Sequence, residues 1–569
     1  MNEVKAPWLK FYGVVPEHIE YSKRTMALEV YEVAKKYPDY TAYTFFGRKF
    51  SYAKAAAEIE KCAKALWTLG VREGQKVTVC MPNCPQAITM FYAINRVGAI
   101  ASMVHPLSGE KEIEFYLNDA ESVAALTLDQ FCGKFMSVWP NTPALKNLIV
   151  ASVADEMSPV MKVGYALTKG RGIPKAPKKD GVLTWKDFMA GADKAAGFAP
   201  PEKKAEEGAA ILYSGGTTGV TKGILLSNLN FNALGDQVVA TNPMFAPGDK
   251  MLAIMPMFHG FGLGVSIHTM LTHGGCCQLV PQFTPKTYAA LLRKQKPNFI
   301  AGVPTLYEAL LRIEGLEDLD LSSLKGVFSG GDSLTPELKK RFDAFLKEHK
   351  SQVEVREGYG TTECVTASCL TPYHMSREGS IGIPFPDTYY KIVKVGTEEE
   401  VPYGEEGEIC ISGPSVMLEY VNHPQETADT LRVHADGRTW VHTGDLGIMD
   451  SDGFIYFRQR IKRMIITSGY NVYPSQVENI LDAHEYVHMS CVIGVKDAYK
   501  MQKVKAYVML KPGYEPSEII KNELLEYCRL HLAKYAVPYD IEFRAELPKT
   551  LVGKVAYRVL EEEAARESA

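Results

Sequence analysis

The sequence has almost no excess charge of either sign, no cysteine pair at CxxC spacing, and no apolar core in its opening residues. Its 63 lysines and arginines stand against 67 aspartates and glutamates, a net charge of −4, which gives nucleic acid no electrostatic footing as a main partner. Small molecules are therefore the default ligands. The 11 cysteines are scattered, so neither a disulfide scaffold nor a zinc ribbon is indicated, and a reducing cytoplasm is the expected compartment. The start, MNEVKAPWLKFYG, has no signal-peptide core.

Charge is also missing locally. Residues 251–285 contain no charged side chain, long enough to raise the question of a membrane span. The run includes Pro256, Pro281, five glycines and His259, His268 and His273. It would cross a bilayer badly, and we expect it to wall an apolar pocket inside a soluble protein.

What is present is an alternation of short apolar runs with helical patterns, the mark of an α/β architecture. At about 150 residues per domain, 569 residues suggest three or four domains. Gly47-Arg48 reads as a hairpin turn, Ser51 as the cap of a helix bearing Ile59, Ala63, Leu66 and Trp67, and residues 85–97 as a helix between strands at 77–81 and 100–104. Residues 155–180 break the pattern: lysines and arginines are interleaved with glycine and proline, which reads as a long surface loop. Its apolar neighbours Val160, Met161, Val163, Tyr165 and Leu167 leave two readings open, a solvated basic loop or a contact with anionic lipid. A basic run, FRQRIKR at 457–463, marks the expected boundary between an N-terminal domain at 1–460 and a C-terminal one at 461–569.

The chemistry begins at YSGGTTGVTKG, residues 213–223. Gly215, Gly216 and Gly219 let backbone N–H groups crowd around an anion, Ser214, Thr217 and Thr218 add hydroxyls, and Lys222 adds a charge. It is not a Walker A loop, because Thr221 precedes Lys222 and Gly223 follows it. Standing alone, such a loop is a turn or linker more often than a nucleotide site.

Downstream, in order, stand PMFHGFG (256–262), SGGD (329–332), EGYGTTE (357–363), HTGDLG (442–447), RQRIKRMIITSGYNVYP (458–474) and LPKTLVGKV (547–555). On these motifs the chain resembles the adenylate-forming enzymes, the superfamily of acyl-CoA synthetases, luciferases and peptide-synthetase adenylation domains. The resemblance implies an α/β body of several subdomains with a β-barrel-like part, followed by a small, mobile α+β lid. It also implies ATP, magnesium and coenzyme A as partners in a two-step reaction.

By the same resemblance, Lys554 bridges the carboxylate and the α-phosphate, Glu363 holds magnesium with Thr362 donating to phosphate, and Tyr359 stacks on adenine beside Gly330 and Gly331. Asp445 and Arg460 take the ribose. Lys462 is the hinge, and Gly469 lets the pantetheine arm pass. His259 stands by the acyl carbonyl, and Phe258, Phe261, Gly262, Val303 and Pro304 wall the acyl pocket. PMFHGFG carries no acidic residue, so a substrate ammonium would lack a counter-ion and an amino acid is disfavoured. The subclass it most resembles is the bacterial medium- or long-chain fatty acyl-CoA ligases, with aryl acids or a carrier-protein acceptor as alternatives. Departures from the common pattern are Thr221, Asn228, Glu419 and Gln459.

Overall fold

The computed structural model describes residues 4–174, 176–214, 221–467, 470–497, 499–550 and 554–567. Two large sheets form the body. One has eight strands, with Ile100–Met103, Lys76–Cys80, Ala124–Leu128 and Asn147–Ala151 at its parallel centre and Gly208–Ser214 and Lys222–Ser227 toward one edge. The other has nine, in which Val355–Tyr359, Gly326–Ser329, Phe299–Gly302, Lys250–Ala253 and Cys276–Leu279 run in parallel register. Strands covered on both faces should be apolar throughout, and every residue of Ala124–Leu128 is buried.

The helix Pro85–Arg96 is buried at every position but its last, the pattern of a helix enclosed on all sides rather than laid on a surface. Its neighbour Tyr52–Thr68 starts where Ser51 accepts the amide of Lys54. The hairpin forms with Phe46 and Gly47 both at positive φ, the backbone a two-residue turn demands.

A third, antiparallel sheet of five strands is built on the long strand Thr439–Met449, which pairs with Glu406–Ser412, Leu431–Val433 and Ile455–Arg460. This corrects the barrel-like expectation: among the described residues the sheet is open, with Tyr389–Val393 at one edge. Trp8 of the amino-terminal 3-10 turn Pro7–Phe11 is buried in its core, against Gly453, where a Cβ would lie 2.8 Å from the Trp8 amide nitrogen. Sheet membership changes between Arg460 and Ile465, after which Ile465–Thr467, Tyr470–Val472, Val487–Asp497, Met501–Leu510 and Asp540–Phe543 form a separate sheet with its own core.

Two expectations change here. The region 155–180 is not all loop: Ser158 caps a helix Pro159–Leu167, with proline in the first turn where its missing N–H costs nothing. The charge-free run folds into the nine-stranded sheet and its cover, and Phe261–His268 is a π-helix. No helix among the described residues is long and apolar enough to cross a membrane.

Candidate active site

Strand register sets the first group. Asp445 and Arg460 are cross-strand partners on Thr439–Met449 and Ile455–Arg460, just before a register shift. The guanidinium Nε lies 3.2 Å from Asp445 Oδ1, and the hydroxyl of Tyr359 donates to Asp445 Oδ2 at 2.6 Å. Asp445 is 1% exposed, and Oδ1 makes no hydrogen bond among the described residues, the Arg460 contact being an ion pair only. A buried acceptor left open is costly unless something fills it, and vicinal hydroxyls fit. Burial raises the Asp445 carboxyl above its ordinary range, and Arg460 opposes that shift. Arg460 is in turn held more basic by Asp445.

Glu363 sits on the short 3-10 turn Thr362–Cys364, where Tyr420 donates its hydroxyl to Oε1 at 2.6 Å. Lys222 lies 4.9 Å from the centre of the Tyr420 ring, and it pairs across the sheet with Ser214. One foot of the glycine-rich loop, Lys222, thus reaches Glu363 through one tyrosine, and strand pairing sets Ser214 beside it. Gly215, Gly216, Thr217, Thr218 and Gly219 lie outside the described residues, as does Gly469.

Beyond Glu363 the chain turns sharply. Val365 has φ +64° and ψ −53°, and Thr366 N–H donates to the Cys364 carbonyl at 2.7 Å. This is the strained form of γ-turn, uncommon for a β-branched residue. Its carbonyl presses on Gly260, where a Cβ would stand 1.7 Å from Val365 O; only glycine fits beside His259. His259 Nδ1 accepts the Phe261 amide at 3.2 Å, so the ring carries its proton on Nε2. Burial, with Lys554 nearby, pushes its pKa down to about 3, which keeps it neutral.

Lys554 enters from the C-terminal segment. Its amide and carbonyl close a turn with Thr550, and a Cβ on Gly331, at φ +81°, would be 3.6 Å from Lys554 Cε and 4.0 Å from Nζ. Burial lowers its pKa, with Asp332 and Asp445 acting against Arg460. His259, Gly331, Asp445, Arg460 and Lys554 therefore meet in one place, although 295 residues separate the first from the last. Lys462 belongs to the same field: its pKa is lowered by burial and then by Lys222, Arg558 and Arg460.

A sequence model described as AMP-binding enzyme matches residues 30–421, and one described as AMP-binding enzyme C-terminal domain matches residues 476–554. The chain belongs to the AMP-binding enzyme family. The Long-chain-fatty-acid–CoA ligase of Bacillus subtilis (strain 168) is 35% identical over 565 residues, 98% of this chain and 98% of its own. That of Salmonella typhimurium is 33% identical over 574 residues, 99% of each. ATP-bound MatB from Rhodopseudomonas palustris has a TM-score of 0.82 at 25% identity, covering 96% of this chain and 100% of its own. The anthranilate CoA ligase AuaEII, in complex with anthranoyl-AMP, shares the fold with a TM-score of 0.83 at 24% identity over 98% and 99%.

In this AMP-binding enzyme a mainly apolar cavity is lined by Gly330, Gly331 and Gly358 together with Phe261 and Val265. Of the residues expected to wall the acyl pocket, Phe261 lines it directly. Val303 instead packs over Gly331, with Cγ1 3.5 Å from a Cβ placed there. Phe258 packs edge-on against His105 at 4.3 Å. Gly262 backs onto the carbonyls of Met255 and Pro256, and Pro304 starts the helix Pro304–Leu311. Sequence reasoning missed Tyr420 and Arg558. Neither carries a local signal, since one acts through a contact 57 residues away and the other through a shared field.

Asn228, one of the departures, has a structural role. Its Oδ1 accepts Met26 N–H at 3.1 Å and Asn95 Nδ2 at 2.7 Å, stitching the helix Met26–Lys36 to the body.

Proposed function

We propose that this enzyme activates a fatty acid with ATP and passes the acyl group to coenzyme A. The observation that carries the reading is the meeting of Lys554 with the Asp445–Arg460–Tyr359 group at the mouth of an apolar cavity. A carboxylate must approach an α-phosphate that is also negative, so a cation has to stand between them. Lys554 takes that position, and His259 Nε2–H is free to donate to the acyl carboxyl. The carboxylate oxygen attacks the α-phosphorus and pyrophosphate leaves. In the second step the coenzyme A sulfur, as thiolate, attacks the acyl carbon and AMP departs with the former carboxylate oxygen.

Asp445 Oδ1 is the acceptor for ribose hydroxyls, and Arg460, Lys222 and Lys462 supply positive charge to the phosphates. A single carboxylate, Glu363, suits magnesium, which keeps most of its shell as phosphate oxygens and water; the ion neutralises phosphate charge. Residues 461–569 act as a lid hinged at Lys462, exchanging Lys554 for the segment around Gly469 between steps. The 11 free, buried thiols suit a reducing, cytoplasmic setting.

Contact with a membrane surface is part of this proposal. The helix Pro159–Leu167 turns Val160, Val163 and Leu167 outward at 84%, 61% and 70% exposure, positions that share one helical face. Residues 158–179 contain six lysines and arginines and no acid, the composition anionic lipid attracts. Failure of anionic vesicles to retain the protein at low salt would remove this part.

The ligase reading is tested by thioester formation with ATP and coenzyme A over fatty, aromatic and amino acids. Turnover is expected with fatty acids and none with amino acids. Absence of carboxylate-dependent pyrophosphate exchange with every acid would leave only nucleotide binding.

A further inference from the structure

The cavity is walled mainly by apolar side chains, and Asn242 stands among its few polar ones, with Ser329 and Thr366. Strands Gly326–Ser329 and Val355–Tyr359 pair in register, with Phe328 opposite Arg356 and Ser329 opposite Glu357. Alternate residues of a strand share a face, so Gly358 and Arg356 lie on the same face, about 6.6 Å apart along the strand at ~3.3 Å per residue. At the reaction end, Gly330 and Gly358 leave the floor flat. Further along the same face Phe328 lines the cavity, with Arg356 as its cross-strand neighbour.

Arg356 reaches the cavity wall through Asn242. Its Nη1 donates to Asn242 Oδ1 at 2.6 Å, its Nη2 to the Thr241 carbonyl at 3.1 Å and its Nε to the Thr371 carbonyl at 2.8 Å. Asn242, which lines the cavity beside Val238, Leu370 and Phe385, donates its Nδ2 to the Val238 carbonyl at 2.6 Å and is 6% exposed. Both ends of the Asn242 amide are thus used. Among the described residues no carboxylate pairs with Arg356, so the charge is held by neutral acceptors alone.

We propose that the Asn242–Arg356 pair is the stop that sets the length of acid this enzyme accepts. The inference rests on the cavity being the acyl site of the proposed ligase. An alkyl tail reaching past Asn242 would have to displace it, stranding an arginine donor and an amide away from water. Leaving one such group unpaired should lower kcat/KM by roughly fivefold to a hundredfold for each acid long enough to reach the stop. Acids ending short of Asn242 meet the wall that includes Phe261, Val265, Val238 and Leu370 and escape that cost.

The test is kcat/KM for thioester formation over saturated acids from hexanoate to octadecanoate, in the wild type, Asn242→Ala and Val238→Phe. Removing the stop should raise the ratio of the longest acid to the mid-length optimum by about tenfold or more, and narrowing the approach with Val238→Phe should move the optimum to shorter acids. A ratio equal to wild type in both variants overturns the proposal. So does a loss that is equal for every acid, which would place Asn242 in nucleotide binding or the chemistry. Failure of the wild type with all acids, by contrast, would fail the ligase reading itself and the stop with it.

Discussion

The body and the C-terminal segment contribute to the site in different ways. In the body each polar group is fixed by something other than its ligand: Asp445 by cross-strand pairing with Arg460 and by Tyr359, Glu363 by Tyr420, and His259 by the Phe261 amide. The C-terminal segment has its own core around Val477, Leu481, Val492, Val508 and Leu524, and it brings Lys554 against Gly331. It meets the body at few polar contacts, among them His488 Nδ1 to Glu308 Oε1 at 3.2 Å and Tyr473 to Glu406 at 2.5 Å. On the proposed mechanism preorganisation belongs to the body, and the C-terminal segment, acting as a lid, adds a removable charge. Stabilisation fixed before reaction is worth most where water is excluded, so losses in the body should damage both half-reactions and losses in the lid only one.

The sharpest way to break that contrast is Asp445→Asn. The neutral amide cannot hold Arg460 as an ion pair and accepts hydroxyls less strongly, so adenylation should fall by about 10²–10³-fold, with a comparable fall in acyl-AMP use. Retention of the second half-reaction in this variant would contradict the body's role in both.

Next in size is the pH profile of adenylation. Asp445 is raised by burial and, once protonated, loses the Arg460 ion pair and accepts hydroxyls less strongly, so activity should fall on the acid side at a higher pH than an ordinary aspartate would cause. Lys554 is lowered by burial and must be charged, so the alkaline limb should begin below the ordinary lysine range. Each limb should approach about tenfold per pH unit, and Lys554→Arg should push the alkaline limb upward. An unmoved limb would show that another group titrates.

A smaller effect is expected from His488→Ala. Burial alone would raise the Glu308 carboxyl, but His488, Arg341 and Arg312 together hold it low. Without His488 the two arginines still pair with it, so adenylation should slow only about fivefold, with transfer from preformed acyl-AMP unaffected.

The smallest concerns the lid's own stability. Burial pushes the Asp482 carboxyl up to about 8, and its Oδ1 has no hydrogen-bond partner among the described residues. A carboxyl raised in the folded state favours folding at low pH, and that advantage is lost as pH rises from the ordinary carboxylate range toward 8. Asp482→Asn should flatten the pH dependence of lid melting and gain on the order of 1 kcal/mol at the alkaline end. Melting as steep as wild type across that window would assign the slope elsewhere.

Local signals made much of the fold legible. Ser51 before an apolar-periodic run, Gly47 in a hairpin and the order of motifs from 213 to 555 each rest on residues close in sequence. The π-helix Phe261–His268 did not declare itself, because its i to i+5 bonding has no distinctive apolar period in a stretch that is buried all round. Tyr420 and Glu363 meet only in three dimensions. The barrel-like expectation failed because pairing order, not strand content, decides closure, and Thr439–Met449 spends its length on three different partners. In the basic insertion, glycine and lysine outweighed the Ser158–Pro159 start signal, which the structure shows to be the stronger local determinant.

The central claim is that one body serves two half-reactions while the lid supplies Lys554 to the first alone. The most direct measurement is Lys554→Ala assayed separately for carboxylate-dependent pyrophosphate exchange and for thioester formation from preformed acyl-AMP and coenzyme A. The account predicts that exchange is abolished while thioester formation stays close to wild type. Equal loss of both would contradict it.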